Sequence, residues 1–211
     1  MFTIYKFSSF IFCVMLFSCG HKPKKYSINK EAVELNNRAM KLVVFIDNAD
    51  SSTKAIALLE QATTIDTNYF LGHYNKLMFL IQLKQFDNAI ATINKLILLR
   101  PGAHDLYLQC GFLYERVNDT VSSKAYFTKS FTICFAVLDT MSYTNSDYDM
   151  ILSNKAINLV MLGEQEQANK TFKKLYDRQS DENSKNIVLS IMNKSKIQLL
   201  KLLTTTDSNA K

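Results

Sequence analysis

The residues of this 211-residue chain best suited to chemistry are four cysteines, three histidines and one short acidic stretch. Their spacing argues against catalysis. His21, His73 and His104 lie far apart, and no Cys-x-x-Cys or Cys/His pair occurs, so no metal site is expected. Cys110 precedes Gly111 inside an apolar helical pattern, where a thiol behaves as a small hydrophobe rather than a nucleophile. Asp147 and Asp149, beside Ser146, suggest a cation loop, but no bidentate Glu follows at the spacing calcium needs. Gly-x-Ser-x-Gly, His-Glu-x-x-His and phosphate-loop patterns are missing, and five Gly and two Pro leave little material for a glycine-cradled phosphate. The chain therefore reads as a binding protein without cofactor, not as an enzyme.

The formal charge of +6 hints at nucleic acid until it is located. All 19 acidic residues follow Lys30, whereas Lys6, Lys22, Lys24, Lys25 and Lys30 account for five of the 25 basic ones. The remainder is almost neutral, so no nucleic-acid partner is expected. The lysines at 22–30 can touch anionic lipid headgroups, each worth ~1 kcal/mol near a charged surface.

Those lysines follow an N-terminal segment with the pattern of an address. Met1–Lys6 carries one positive charge, and Phe7–Phe17 is mostly apolar. That run is shorter than the ~20 residues that span a bilayer, but it has the length of a signal-peptide core. It ends in Leu16-Phe17-Ser18-Cys19-Gly20. The ending resembles the lipobox of bacterial lipoproteins: Leu16 is the aliphatic residue three before the cysteine, and Ser18 is the small residue just before it. Phe17 departs from the usual small or aliphatic residue. The resemblance implies removal of residues 1–18, a thioether-linked lipid on Cys19, and fatty acylation such as palmitate on its new amino group. Two or more acyl chains anchor stably, at ~0.8 kcal/mol per buried methylene. Gly20 stands where inner-membrane lipoproteins of enteric bacteria often have Asp, which implies the outer membrane, facing the periplasm. Residues 19–35 then read as a lipid-anchored tether.

Beyond the tether, from Asn36 on, the chain repeats every 34 residues. Ala55, Ala89 and Ser123 are small and in phase. Leu59, Ile93 and Phe127 follow four residues later and are large, and Ala62, Leu96 and Ser130 come three after those. This is an apolar face at helical spacing. The preceding half-repeat keeps step through Ile46, Leu80 and Tyr114. A fourth unit follows an insertion of 11 residues: Ala168, Phe172 and Leu175 resume the phase, with a first helix near 149–162 and Gly163 at its turn. The extra residues, around 138–148, are polar and turn-rich and read as a lengthened loop.

A helix–turn–helix period of 34 residues resembles the tetratricopeptide repeat. Tyr107, Gly111 and Tyr114 carry the likeness in the first helix of the third repeat. Ala55, Leu59 and Ala62 carry it in a second helix, and Pro101 falls at the family's terminating proline. His73, Lys76 and Ser123 depart from the pattern. The resemblance implies an all-α, antiparallel helix-pair solenoid of about four repeats over residues 36–182. Residues 183–203 carry Val188, Ile191, Met192, Leu199, Leu202 and Leu203 on one helical face, suited to a capping helix, and 204–211 read as a disordered tail. Cys110 and Cys134 fall on antiparallel helices ~10 Å apart along the axis, too far for a disulfide that needs Cα atoms within ~7 Å.

The resemblance also implies a concave face lined by first-helix residues. Carried over, these are Met40, Val44, Tyr74, Met78, Leu108, Phe112, Ile157 and Met161, with Asp47, Gln82, Glu115 and Arg116 at the edge. Met40 and Val44 stand where one subgroup has the Lys and Asn of a carboxylate clamp, so an apolar or amphipathic segment is the expected occupant. The expected function is an envelope lipoprotein that scaffolds a protein or peptide partner. The rivals are a structural subunit of an envelope assembly, and a periplasmic immunity or inhibitor protein.

Overall fold

Short polar side chains start several of the helices. Asn29 accepts hydrogen bonds from the N–H groups of Glu31 and Ala32, and Asn48, Asp119 and Asp181 accept from Ser51, Ser122 and Ser184. Each satisfies donors that the first turn leaves without an intrahelical partner. The computed structural model describes residues 26–204, and among them are ten α-helices. They are α1 (Lys30–Met40), α2 (Ala49–Ile65), α3 (Phe70–Gln82), α4 (Phe86–Leu99), α5 (His104–Arg116), α6 (Thr120–Thr140), α7 (Tyr148–Leu162), α8 (Gln165–Arg178), α9 (Glu182–Ile191) and α10 (Lys196–Thr204). From α1 to α9 each helix packs on the next, and first helices also meet, α1 on α3 and α5 on α7. The fold is an all-α, antiparallel helix-pair solenoid of the tetratricopeptide kind.

The repeat frame is visible in the backbone. Lys84, Asn118 and Gly163 hold the left-handed conformation, with φ of 56°, 60° and 88°. After each, an N–H reaches back to a carbonyl five residues earlier: Gln85 to Leu80, Asp119 to Tyr114, and Glu164 to Leu159. This is the Schellman closure of a helix end, repeated at each turn between paired helices from the second unit on. The side chains agree. Ala55, Ala89, Ser123 and Ala168 are fully buried at one phase, and Leu59, Ile93, Phe127 and Phe172 at the next. Gly111 lets Phe127 close over α5, since a Cβ there would stand 2.6 Å from the ring.

Two boundaries differ from expectation. α1 begins at Lys30 rather than Asn36, so the expected tether over 19–35 contains the start of the first helix. The Asn29 cap and the buried set Ala32, Leu35, Asn36 and Ala39 fix it there, and a 3-10 turn, Val43–Phe45, takes up the slack before α2. The expected capping helix over 183–203 is two helices. Asn193 takes φ 65° after α9, and Ser195 and Gln198 exchange side-chain and backbone hydrogen bonds that start α10 afresh. The insertion is only partly a loop: α6 continues to Thr140 and turns occupy 141–147. The expected signal peptide, Cys19 and most of the tail lie outside the described residues. Among the described residues, no helix is long and apolar enough to cross a membrane.

Candidate functional site

The face lined by α1, α3, α5 and α7 is where the eight expected groove residues converge in the repeat pattern, and the structure divides them. Met40 and Met78 are partly buried against the apolar cluster formed by α1 to α5. Val44 lies in the 3-10 turn instead of on the first helix and is 74% exposed, because α1 ends four residues before it. Leu108 and Met161 are buried, with Phe112 and Ile157 packed beside them, in a second cluster that also contains Val188 of α9 and Leu199 of α10. Phe112 meets Phe127 edge to face, ring centres 5.2 Å apart. Tyr74, 39% exposed, faces an open cleft between first helices, whereas the buried Met161 touches a separate one beside Thr120, Lys124 and Lys196.

The C-terminal helices account for this division. Lys196 at the start of α10 donates to Glu115 at the end of α5 over 2.6 Å, and Glu115 also accepts from the Ser123 hydroxyl. The N–H of Asn193 donates to Asn169 Oδ1 at 3.3 Å, tying the α9–α10 turn to α8. Leu199 is fully buried in the same cluster as Leu108 and Met161. α9 and α10 therefore occupy the part of the face built by α5 and α7. The other expected edge residues are engaged as well: Gln82 donates to Asp47 at 3.0 Å, and Arg116 lies over Phe86.

The part of the face before α5 is open. A cleft of about 860 Å³ runs from Val33 of α1 past Tyr74 of α3 to Asp105 of α5. Its walls include Phe70 and Arg100, and the Arg100 guanidinium lies 3.6 Å from the Phe70 ring centre. Phe70 in turn stacks on Tyr74, centres 6.1 Å apart. The fourth wall is a short strap before α1. Tyr26 donates to Asp66 Oδ1 at 2.5 Å, and the Asn29 N–H donates to Asp66 Oδ2 at 3.0 Å. Desolvation and the Asp66 carboxylate push the Tyr26 phenol up to about 12. The Tyr26 and Asn29 bonds and the Asn68 N–H hold Asp66 below its ordinary value, against the desolvation that raises it. Tyr26, Ile28, Phe70 and Arg100 were outside the expected groove. Tyr26 and Ile28 fall in the expected tether, and Phe70 and Arg100 sit at a helix start and a helix end, where a pattern of mid-helix positions does not look.

The residues with chemical potential lie elsewhere. Cys110 and Cys134 are buried and free, and burial pushes both thiols up to about 12. His73 reaches the Thr67 carbonyl at 3.0 Å, and His104 faces the Asn154 side chain at 3.3 Å; burial lowers the pKa of both rings. Asp149 pairs with Arg178 at 2.5 Å. Among the described residues, no group of three or more His, Cys, Asp or Glu side chains is placed to hold a metal ion.

A tetratricopeptide-repeat family model matches residues 72–102, the α3–α4 unit bordering the cleft. No curated protein matches the chain. Solved structures share its fold. PilW, a widely conserved type IV pilus biogenesis factor, superposes with a TM-score of 0.54 at 19% identity, over 83% of this chain and 71% of its own. YrrB, a TPR protein with an unusual peptide-binding site, gives 0.50 at 14% identity, over 83% and 86%. The nearly identical TPR-like repeats of a putative kinesin light chain from Podosopora anserina give 0.55 at 10% identity, over 76% and 84%. At these identities the likeness is one of fold.

Proposed function

We propose that the protein is a lipid-anchored scaffold of the bacterial envelope, attached through Cys19, that binds a polypeptide segment in the open half of its first-helix face. The observation that carries the reading is the cleft bounded by Tyr26, Phe70, Tyr74 and Arg100. Its aromatic rings are held by stacking and by a guanidinium, so little side-chain entropy is lost when a ligand seats. Exposed aromatic residues in a pre-formed cleft are the type that anchors protein partners. The peptide-binding site of YrrB, on the same fold, supports a peptide as the occupant. A lipid anchor followed by lysines 22, 24, 25 and 30 places such a scaffold at a membrane surface, facing the periplasm if the outer membrane is its address.

Site-specific photo-crosslinking tests the reading. A photoreactive residue at position 74 is expected to capture a discrete partner from envelope extract. The same residue at position 98, where Leu98 is 77% exposed on α4, is expected to capture none. Capture from 98 alone would assign the contacts to the second helices and favour a structural subunit of an envelope assembly.

A further inference from the structure

The 11-residue insertion that breaks the 34-residue period is not spent on a bare loop. The extended end of α6, the turns over 141–147, α7 and α8 border an open pocket of about 450 Å³. This is within the volume range of sites for small molecules, toward its smaller end. Phe135, Leu138, Tyr143, Tyr148 and Leu152 give it an apolar lining, and Tyr143 and Tyr148 stand with ring centres 4.9 Å apart.

Its frame is rigid. Arg178 donates from Nε to Asp149 at 2.5 Å and from Nη2 to the Tyr143 carbonyl at 2.8 Å, with its guanidinium 4.5 Å from the Tyr148 ring centre. Gln179 holds the other oxygen of Asp149 at 3.1 Å. The arginine is thereby used up in building the wall.

Two further cations line the pocket, neither of them in an ion pair among the described residues. Lys155 is partly buried, its ammonium 4.9 Å from the Phe135 ring centre, and Lys174 stands on the opposing helix. Of the nearby carboxylates, Asp177 is taken by Lys173 at 3.0 Å and Asp149 by Arg178, and Asp139 is not within ion-pairing distance of either lysine. Burial, and then the nearness of Lys174, lower the pKa of Lys155, the direction expected of an ammonium that lacks an anion.

We propose that this pocket binds a small organic carboxylate, its acid group between Lys155 and Lys174 and its apolar body against Phe135, Tyr148 and Leu152. A monoanion fits better than a doubly charged phosphate, since Asp139 and Asp177 line the same pocket and repel a second negative charge. The site is independent of the cleft at Tyr74.

Calorimetric titration of the purified protein with 3-phenylpropionate, 3-phenylpropylamine and 3-phenylpropanol tests it, since the three share one body and differ in charge. The acid is expected to bind saturably and the amine and alcohol much more weakly, with the acid's affinity falling as salt is raised. Lys174→Gln, at an exposed position, is expected to weaken the acid about tenfold, the loss of one charge-assisted contact. Lys155→Gln is expected to do the same, with an unchanged helical spectrum as the folding control. Equal binding of the three probes, no saturable heat with the acid at millimolar concentration, or unchanged affinity in Lys174→Gln would each overturn the proposal.

Discussion

At the scale of single residues, burial decides what the cysteines and histidines do. Cys110 and Cys134 are buried thiols with pKa values near 12, so at neutral pH neither offers a thiolate. A thiol reagent added to the native protein is expected to find neither, and both are expected to react after unfolding without reductant. A monomer with no titratable thiol after unfolding would show that a disulfide exists. The histidines set a pH limit. Unfolded, each takes up its proton near pH 6.5, whereas burial holds the folded values of His73 and His104 lower. The unfolded state binds more protons between those values, so stability is complete above pH 6.5 and is lost as pH falls below it. Melting at pH 7.5 and 5.5 should show a fall, and His73→Gln with His104→Gln should reduce that fall. A pH-independent melt in the parent chain would remove the histidines from the stability balance.

Helix pairs are the scale at which the sequence was most legible. Three in-phase sets fixed the frame, because a small residue at the tightest crossing and a large one a turn later are demands each repeat makes alike. Ala55 and Ala89 are fully buried there, while Ala57 and Ala91, two residues on, are exposed. Ala55→Leu is therefore expected to cost ~1–3 kcal/mol by overpacking, and Ala57→Leu less than ~0.5 kcal/mol. Equal denaturation midpoints for the two variants would show the frame to be misplaced. Legibility ended where one repeat differs from the others. Extending the frame of the later repeats backward puts Val44 on a first helix, but the first unit has no left-handed turn at the corresponding position and uses a 3-10 turn instead. The apolar stripe from Val188 to Leu203 hid a helix break, although Ser195 and Gln198 carried the capping-box signal for it. Ser123 departs from the repeat's usual Ala, and Ser130 is a second hydroxyl in the buried phase of the same helix. Their hydroxyls are in fact satisfied, Ser123 on Glu115 and Ser130 on the His104 carbonyl, with Asn158 donating to Ser130. Partners 8 to 28 residues away in sequence cannot be read from a local pattern.

For the whole molecule, the proposed lipid on Cys19 sets where it works, and the C-terminal helices set which half of its first-helix face is free. Cys19→Ser is expected to leave an unprocessed precursor or a protein released from the membrane; fractionation with the membrane at the mature size would remove the lipid anchor. The division of the face is tested most directly by Tyr74→Ala and Phe112→Ala side by side. The two rings come from successive first helices, with Phe112 one turn further along its helix than Tyr74, yet one borders the open cleft and the other packs on Phe127 beneath the C-terminal helices. Chemical denaturation of both, alongside retention of the partner captured from position 74, is the measurement. Tyr74→Ala should stay within ~1 kcal/mol of the parent and lose the partner, whereas Phe112→Ala should lose ~2 kcal/mol or more of stability. A stable Phe112→Ala that loses the partner, with Tyr74→Ala still binding, would mean that the face is open where α9 and α10 are placed and closed where the cleft is drawn.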